Sequence, residues 1–183
     1  MTDRTLTADD VLLRPLEEGD IPSLVRWSED PELRKLTGEV ASMDREEAEA
    51  FLESTRTEES RRWFAVVVDG RAIGETGLLR IFPAWRTTDV SVIIGEAGER
   101  GKGYGTQAAR FILDLAFREL GMHRVAIGVV GFNEGALRFW KRLGFRQEGV
   151  QRDGYLLEDG YHDFVMMSLL EPEWRERHGE PSF

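Results

Sequence analysis

Residues 99 to 117 read ERGKGYGTQAARFILDLAF, with Gly101, Gly103 and Gly105 at alternate positions and a run of helical periodicity behind them. Lacking Cβ atoms, such glycines let a ligand approach the backbone closely. The N-terminus of the helix that follows supplies unpaired amides and the positive end of the helix dipole, which together make an anion site. Arg100 and Lys102 add positive charge and Thr106 a hydroxyl donor. The ligand chemistry this suits best is phosphate. A need for positive φ accounts for one glycine in a loop; it does not account for three in alternation.

The spacing weakens the two common nucleotide readings of such a loop, and a nucleotide-binding enzyme is the disfavoured alternative. The P-loop pattern requires Ser or Thr directly after Gly-Lys, whereas Gly101-Lys102 is followed by Gly103. The dinucleotide fingerprint requires G-x-G-x-x-G and an acid at the end of the next strand. Here the glycines run G-x-G-x-G, and the next apolar segment, MHRVAIGVV, contains no acid.

The elements that must hold this loop can be read in order. VLLRPL at 11–16 reads as a strand, Asp20 before Ile21-Pro22 as the cap of a short helix through Trp27, and SMDREEAEAFLEST as a helix capped by Ser42 or Asp44. RRWFAVVVDGRAIGETGLLRIF holds two strands joined at Asp69-Gly70, a dipeptide suited to a tight hairpin, and TTDVSVIIG is a third. Ala109, Ile112, Leu113, Ala116, Phe117 and Leu120 then form one helical stripe that Gly121 ends. HRVAIGVV reads as a strand and NEGALRFWKRLG as a helix capped by Asn133, with closing strands FRQEGVQRD and HDFVMMSLL. The order β-αα-βββ-α-β-α-ββ describes a mixed α+β fold. The crossover through 89–130 makes the strands on either side of the long helix parallel.

Composition sets the surroundings. The chain has 183 residues, 41% hydrophobic and 32% charged, consistent with a single soluble domain over 1–183. A net charge of −10 argues against nucleic acid and suits a cationic partner, or simply solubility. The absence of cysteine removes disulfides, thiolate metal sites and a cysteine nucleophile, and His123, His162 and His178 lack metal-ligand spacing. No metal is expected. The first residues carry no apolar targeting run and no stretch reaches membrane-spanning length, so a cytoplasmic location is expected.

Arg100-Gly101-Lys102-Gly103-Tyr104-Gly105 resembles the R/Q-x-x-G-x-G/A motif of the GNAT superfamily of N-acetyltransferases. The opening VLLRPLEEGDIPSLVRWSEDPEL, the segment NEGALRFWKRLGFRQEGV and the closing DGYHDFVMMSLL are similar to the ribosomal-protein (RimJ/RimL) branch of that superfamily, to which polyamine acetyltransferases are also similar. The resemblance covers nearly the whole chain. It implies a mixed, mainly antiparallel central sheet with helices on both faces. It also implies acetyl-CoA as co-substrate, its pyrophosphate on the loop from Arg100 to Thr106 and its pantetheine arm on strand backbone near Ile93 and Ile94. Asn133 would contact the cofactor while capping its helix, and Trp140 would either wall the pantetheine channel or serve the core.

Acetyl transfer to an amine further requires removal of a proton from the ammonium, since its pKa is about 10. Glu75 in IGETGLL and Asp89 in TTDVSV are the candidate bases. The branch often carries its acid where this chain has Val90, which places Asp89 on the other face of the strand. Many relatives also carry tyrosine at the position of Trp140, and an indole does not titrate usefully as a proton donor. His162-Asp163 invites a catalytic pair, yet adjacent strand residues face opposite sides. The acceptor groove is implied between 25–45 and 153–162, with Trp27, Trp85, Glu29, Asp30, Glu39, Asp153, Glu158 and Asp159 as candidate contacts. No run of acids falls in one assignable cleft, which weighs against a polyamine. A protein N-terminus, a polyamine, an aminoglycoside and an amino-acid-like antibiotic all stay open as acceptors, and so does a monomer or a homodimer. The competing reading keeps the fold but makes the chain a non-catalytic acyl-CoA-binding or sensing module.

Overall fold

An unbroken apolar run lets a strand bury both of its faces. On the strand Arg62–Val68 (β3), Phe64, Val66 and Val68 join one core cluster while Ala65 and Val67 join the other. The computed structural model describes residues 6–8, 10–157 and 159–179. Among these, eight strands form one sheet. Those preceding β3 are Leu6–Ala8 (β1) and Val11–Pro15 (β2); following it are Arg71–Phe82 (β4), Thr87–Ile94 (β5), Arg124–Val130 (β6), Arg146–Leu157 (β7) and Gly160–Leu170 (β8). Their order across the sheet is β1-β2-β3-β4-β5-β6-β8-β7. Every pair is antiparallel except β5 with β6. The Asp69-Gly70 hairpin has φ of 50° and 74° at its two residues, as that dipeptide permits.

Helices cover both faces. Ile21–Glu29 (α1), Pro31–Thr37 (α2) and Arg45–Thr57 (α3) lie on the side of the smaller core around Leu24, Trp27 and Leu52. Tyr104–Asp114 (α4), Glu134–Leu143 (α5) and Glu171–His178 (α6) lie on the larger one, which includes Ile112, Leu113, Trp140 and Trp174. The mixed, mainly antiparallel sheet with helices on both faces is the architecture expected of the family resemblance.

Several local expectations are corrected. The helix that carries the Ala109-to-Leu120 stripe begins at Tyr104, inside the glycine loop, and its last turn, Leu115–Glu119, is a π-helix. Asp20 does not cap α1. It is 4% exposed and accepts two hydrogen bonds from Arg14, at 2.6 and 2.8 Å, and one from the Glu17 amide at 2.9 Å. Two helices and a strand went unread: α2, α6 and β1. For α2 the signals are present, with Asp30 accepting from the amides of Glu32 and Leu33, Pro31 in the first turn and Gly38 at φ 91° after the last. Its brevity hid it, because about two turns carry almost no periodicity.

Candidate active site

β5 and β6 pair at only three positions, Thr87 with Arg124, Thr88 with Val125 and Asp89 with Ala126. Beyond Asp89 the strands separate, because β6 stays paired with β8 up to Val130 while β5 stays paired with β4 up to Ile94. A cavity of about 640 Å³ opens in the gap. Ser91 to Ile94 form one wall and Ile127 to Val130 the other, with Leu33, Leu36 and Thr37 of α2 alongside. Asn133 secures this arrangement from both ends of its amide. Its Oδ1 accepts from the Ala136 amide at 3.0 Å and caps α5, while its Nδ2 donates to the Leu36 carbonyl at 2.9 Å and ties α2 over the gap.

The glycine loop closes one end of the cavity. Gly101 and Gly103 adopt φ of 80° and 95°, and a Cβ at either would point into open space. The amides of Gly101 to Gly105 find no acceptor among the described residues, so they are free for an incoming oxyanion. Gly101, Gly103, Gly105, Thr106 and Arg100 line the cavity, as do Ile93 and Ile94 of the unpaired stretch of β5. The residues present therefore fit a pyrophosphate followed by an extended amide-bearing arm.

Two of the basic residues behave differently from the simplest expectation. The Arg100 guanidinium is spent on protein groups, donating to the carbonyls of Ile94 and Gly95 at 2.9 Å and to Asp30 at 3.1 Å. Lys102 pairs with Glu99 at 2.9 Å and stands outside the cavity wall. Tyr104 packs against the larger core rather than facing the gap.

Glu75 of β4 lies opposite Ala65 of β3 and Ile93 of β5, on the face covered by α1 to α3. Its Oε2 accepts from the Trp63 indole N–H at 3.0 Å. It borders a chamber of about 30 Å³, whose other walls include Leu33, Thr37, Glu39 and Ile93. Those four residues also line the larger cavity, so the chamber opens toward the cofactor gap. Burial pushes the Glu75 carboxyl up to about 7; the Trp63 hydrogen bond opposes the shift and repulsion from Glu39 adds to it. Glu39 runs from the exposed rim inward, and burial raises its carboxyl too, with Arg34 opposing. The Tyr155 hydroxyl, raised by burial and by Glu39, is buried beside Gly38 without a hydrogen-bond partner among the described residues.

Asp89 does not join this group. It stands at the paired end of β5, forms an ion pair with Arg80, and is absent from the cavity walls, so it is corrected from candidate base to structural ion pair. Trp140 is 4% exposed, in edge contact with Phe139 and Phe145 with ring centroids 4.9 Å away, and it borders the cavity as well as the core. His162 bonds to Asp159 at 2.8 Å, while Asp163 accepts from the Asp153 amide at 3.1 Å. Among the described acceptor acids only Glu39 borders the chamber. Asp30 caps α2, Asp159 pairs with Lys35 and His162, and Glu158 lies outside the described residues. Trp27 also borders the chamber, seated against Gly95, whereas Trp85 is 78% exposed beside Phe82. Sequence reasoning missed Trp63 and Tyr155, which nothing in their local motifs marks.

Residues 10–146 match the Acetyltransferase (GNAT) domain family. The spermidine N(1)-acetyltransferase of Escherichia coli strain K12 is 26% identical over 181 residues, 96% of this chain and 94% of that protein. The Bacillus subtilis protein YdaF, named as a ribosomal N-acetyltransferase, is 36% identical over 109 residues, 60% of this chain and 59% of its own length. The fold is similar to that of the Vibrio cholerae spermidine N-acetyltransferase solved with CoA and spermine, with a TM-score of 0.85, 23% identity and coverage of 90% and 98% of the two chains. No helix among the described residues is long and apolar enough to cross a membrane. With three quarters of its length inside the family match and a splayed pair of strands leading to an open glycine loop, this chain belongs to the GNAT family of acetyl-CoA-dependent N-acetyltransferases.

Proposed function

We propose that this enzyme acetylates the terminal amine of a slim alkylamine of the spermidine kind, in the cytoplasm, by direct transfer within a ternary complex, with Glu75 as general base. The observation that carries this reading is the chamber in which Glu75 and Glu39 meet beside the cofactor gap. Arg34 also borders the chamber and compensates Glu39, whereas no cation among the described residues offsets Glu75, so a cationic amine beside Glu75 is favoured. The chamber is narrow, which suits an unbranched –CH₂–NH₃⁺ terminus better than the branched α-carbon of a protein N-terminus.

Acetyl-CoA supplies an activated thioester carbonyl. Glu75, poised near neutrality, takes the ammonium proton, and the freed amine faces the gap. Backbone amides of β5 beyond Asp89, freed by the splay, are placed to stabilise the oxyanion. Trp140 contributes a wall and no proton. Departure of the thiolate needs no acid from the protein: as the C–S bond breaks, the attacking nitrogen sheds its second proton, and the departing sulfur takes up a proton through solvent.

A second reading, a protein N-terminus as acceptor in the ribosomal-protein branch, is favoured by the YdaF similarity. The deciding experiment is acceptor-dependent CoA release with spermidine, simple diamines and an alanine-led peptide, for wild type and Glu75→Gln. Turnover with the amines, lost by about 100-fold or more in the variant at unchanged acetyl-CoA affinity, is expected. Preference for the peptide overturns the acceptor, and a wild-type rate in Glu75→Gln overturns the base.

A further inference from the structure

We infer that Trp63 is a positioning residue for the reaction, holding the Glu75 carboxylate toward the acceptor chamber through its indole N–H. The inference rests on the reading of Glu75 as the base.

The geometry is built from three elements. Trp63 and Gly77 are directly opposed across β3 and β4, so they share a face with Glu75, two residues along. A Cβ at Gly77 would lie 2.3 Å from Trp63 Cε3, so only glycine leaves room for the ring to lie across β4. Phe51 of α3 then meets that ring edge-on, with centroids 5.5 Å apart at 85°. Held on both sides, the indole has one polar atom, and it donates to Glu75 Oε2 at 3.0 Å. An indole N–H can donate but never accept. It therefore favours the ionised carboxylate, the form that can act as a base, and leaves the second oxygen for the acceptor.

The other groups around Glu75 act in the opposite sense or at a distance. From the turn after α2, Glu39 repels the ionised form, while Arg34 of α2 compensates Glu39. α1 contributes Trp27 and Ser28 to the chamber, and the turn before α3 contributes Met43, none of them charged. Opposite Glu75, β3 and β5 present Ala65 and Ile93. Among the described residues, Trp63 is thus the neighbour that opposes both burial and Glu39. Without it the base would be protonated over more of the neutral range.

The test is the pH dependence of kcat/KM for an amine acceptor, in wild type, Trp63→Phe and Glu75→Gln. Trp63→Phe retains an aromatic ring against Phe51 and removes only the donor. It is expected to move the acid limb upward by about one pH unit, the worth of one hydrogen bond to a charged group, with KM for acetyl-CoA unchanged. A purely structural role would lower kcat/KM equally at every pH, and that result overturns the inference. A second measurement needs no Trp63 variant: the Trp63 indole resonance of the ¹⁵N-labelled protein, identified by its contact with the Phe51 ring. It should titrate at the midpoint of the kinetic limb and stop titrating in Glu75→Gln. A flat resonance beside a slow Glu75→Gln enzyme overturns the role of Trp63 alone; a wild-type rate in Glu75→Gln overturns the base itself.

Discussion

The Arg100 guanidinium reaches across to Asp30 Oδ2 at 3.1 Å, joining the cofactor loop to the residue that caps α2. The same side chain holds the carbonyls of Ile94 and Gly95, where β5 ends. One arginine thereby connects the phosphate end of the cavity with the helix that roofs the acceptor end. The Asp30 carboxyl is held below the usual carboxylate range by the Leu33 amide first, then by Arg100 and the Glu32 amide, against the opposing effect of burial.

This link should be measurable as coupling. In a double-mutant cycle with Arg100→Ala and Asp30→Ala, the interaction energy for this partly exposed pair is expected at about 0.5–1 kcal/mol. Arg100→Ala should weaken acetyl-CoA binding and also raise KM for the amine. Strictly additive effects, or a change confined to acetyl-CoA, would show that the two ends are independent.

At the loop itself, Gly103→Glu places a carboxylate where the amides await an anion. Gly103 sits at φ 95°, so any side chain there also costs about 1–2 kcal/mol. The variant should fold with its thermal midpoint lowered by about 2–8 °C and show no acetyl-CoA binding by calorimetry. Affinity equal to wild type would refute the assignment of the loop.

Glu75 makes a prediction for stability opposite in sign to that for activity. Its carboxyl is raised from 4.5 to about 7, so the folded state binds more protons than the unfolded state between those values. Its contribution to stability is therefore full below about pH 4.5 and declines as pH rises toward 7, by at most about 3 kcal/mol. Glu75→Gln should melt close to wild type at pH 4 and above it at pH 8, by about 5–10 °C. A variant less stable than wild type at pH 8 would mean the carboxylate is not buried at a cost.

Glu39 is expected to act on both the acceptor and the base. Glu39→Gln removes a carboxylate from the chamber and relieves the repulsion on Glu75. KM for a diamine should rise severalfold while KM for acetyl-CoA holds, and the acid limb of kcat/KM should move to lower pH. An unchanged limb would separate Glu39 from Glu75 electrostatically.

The sequence alone determined the loop, the parallel crossover and the layer order, because each is local. Three alternating glycines before a helical stripe, an Asp-Gly hairpin and an Asn cap all act through backbone geometry within a few residues, and periodicity carries the rest. Tertiary structure decided the chemistry of the acids. Glu75 and Asp89 look alike in sequence, both acids on strands. The sheet puts Glu75 under three helices with Trp63 and Glu39, and Asp89 at the closed end beside Arg80. Charge, burial and hydrogen bonding set a carboxyl's pKa, and those neighbours come from positions far apart in the chain. For the same reason Arg100, a phosphate ligand by motif, became a brace: its partner Asp30 is brought to it only by the packing of α2 over the split sheet.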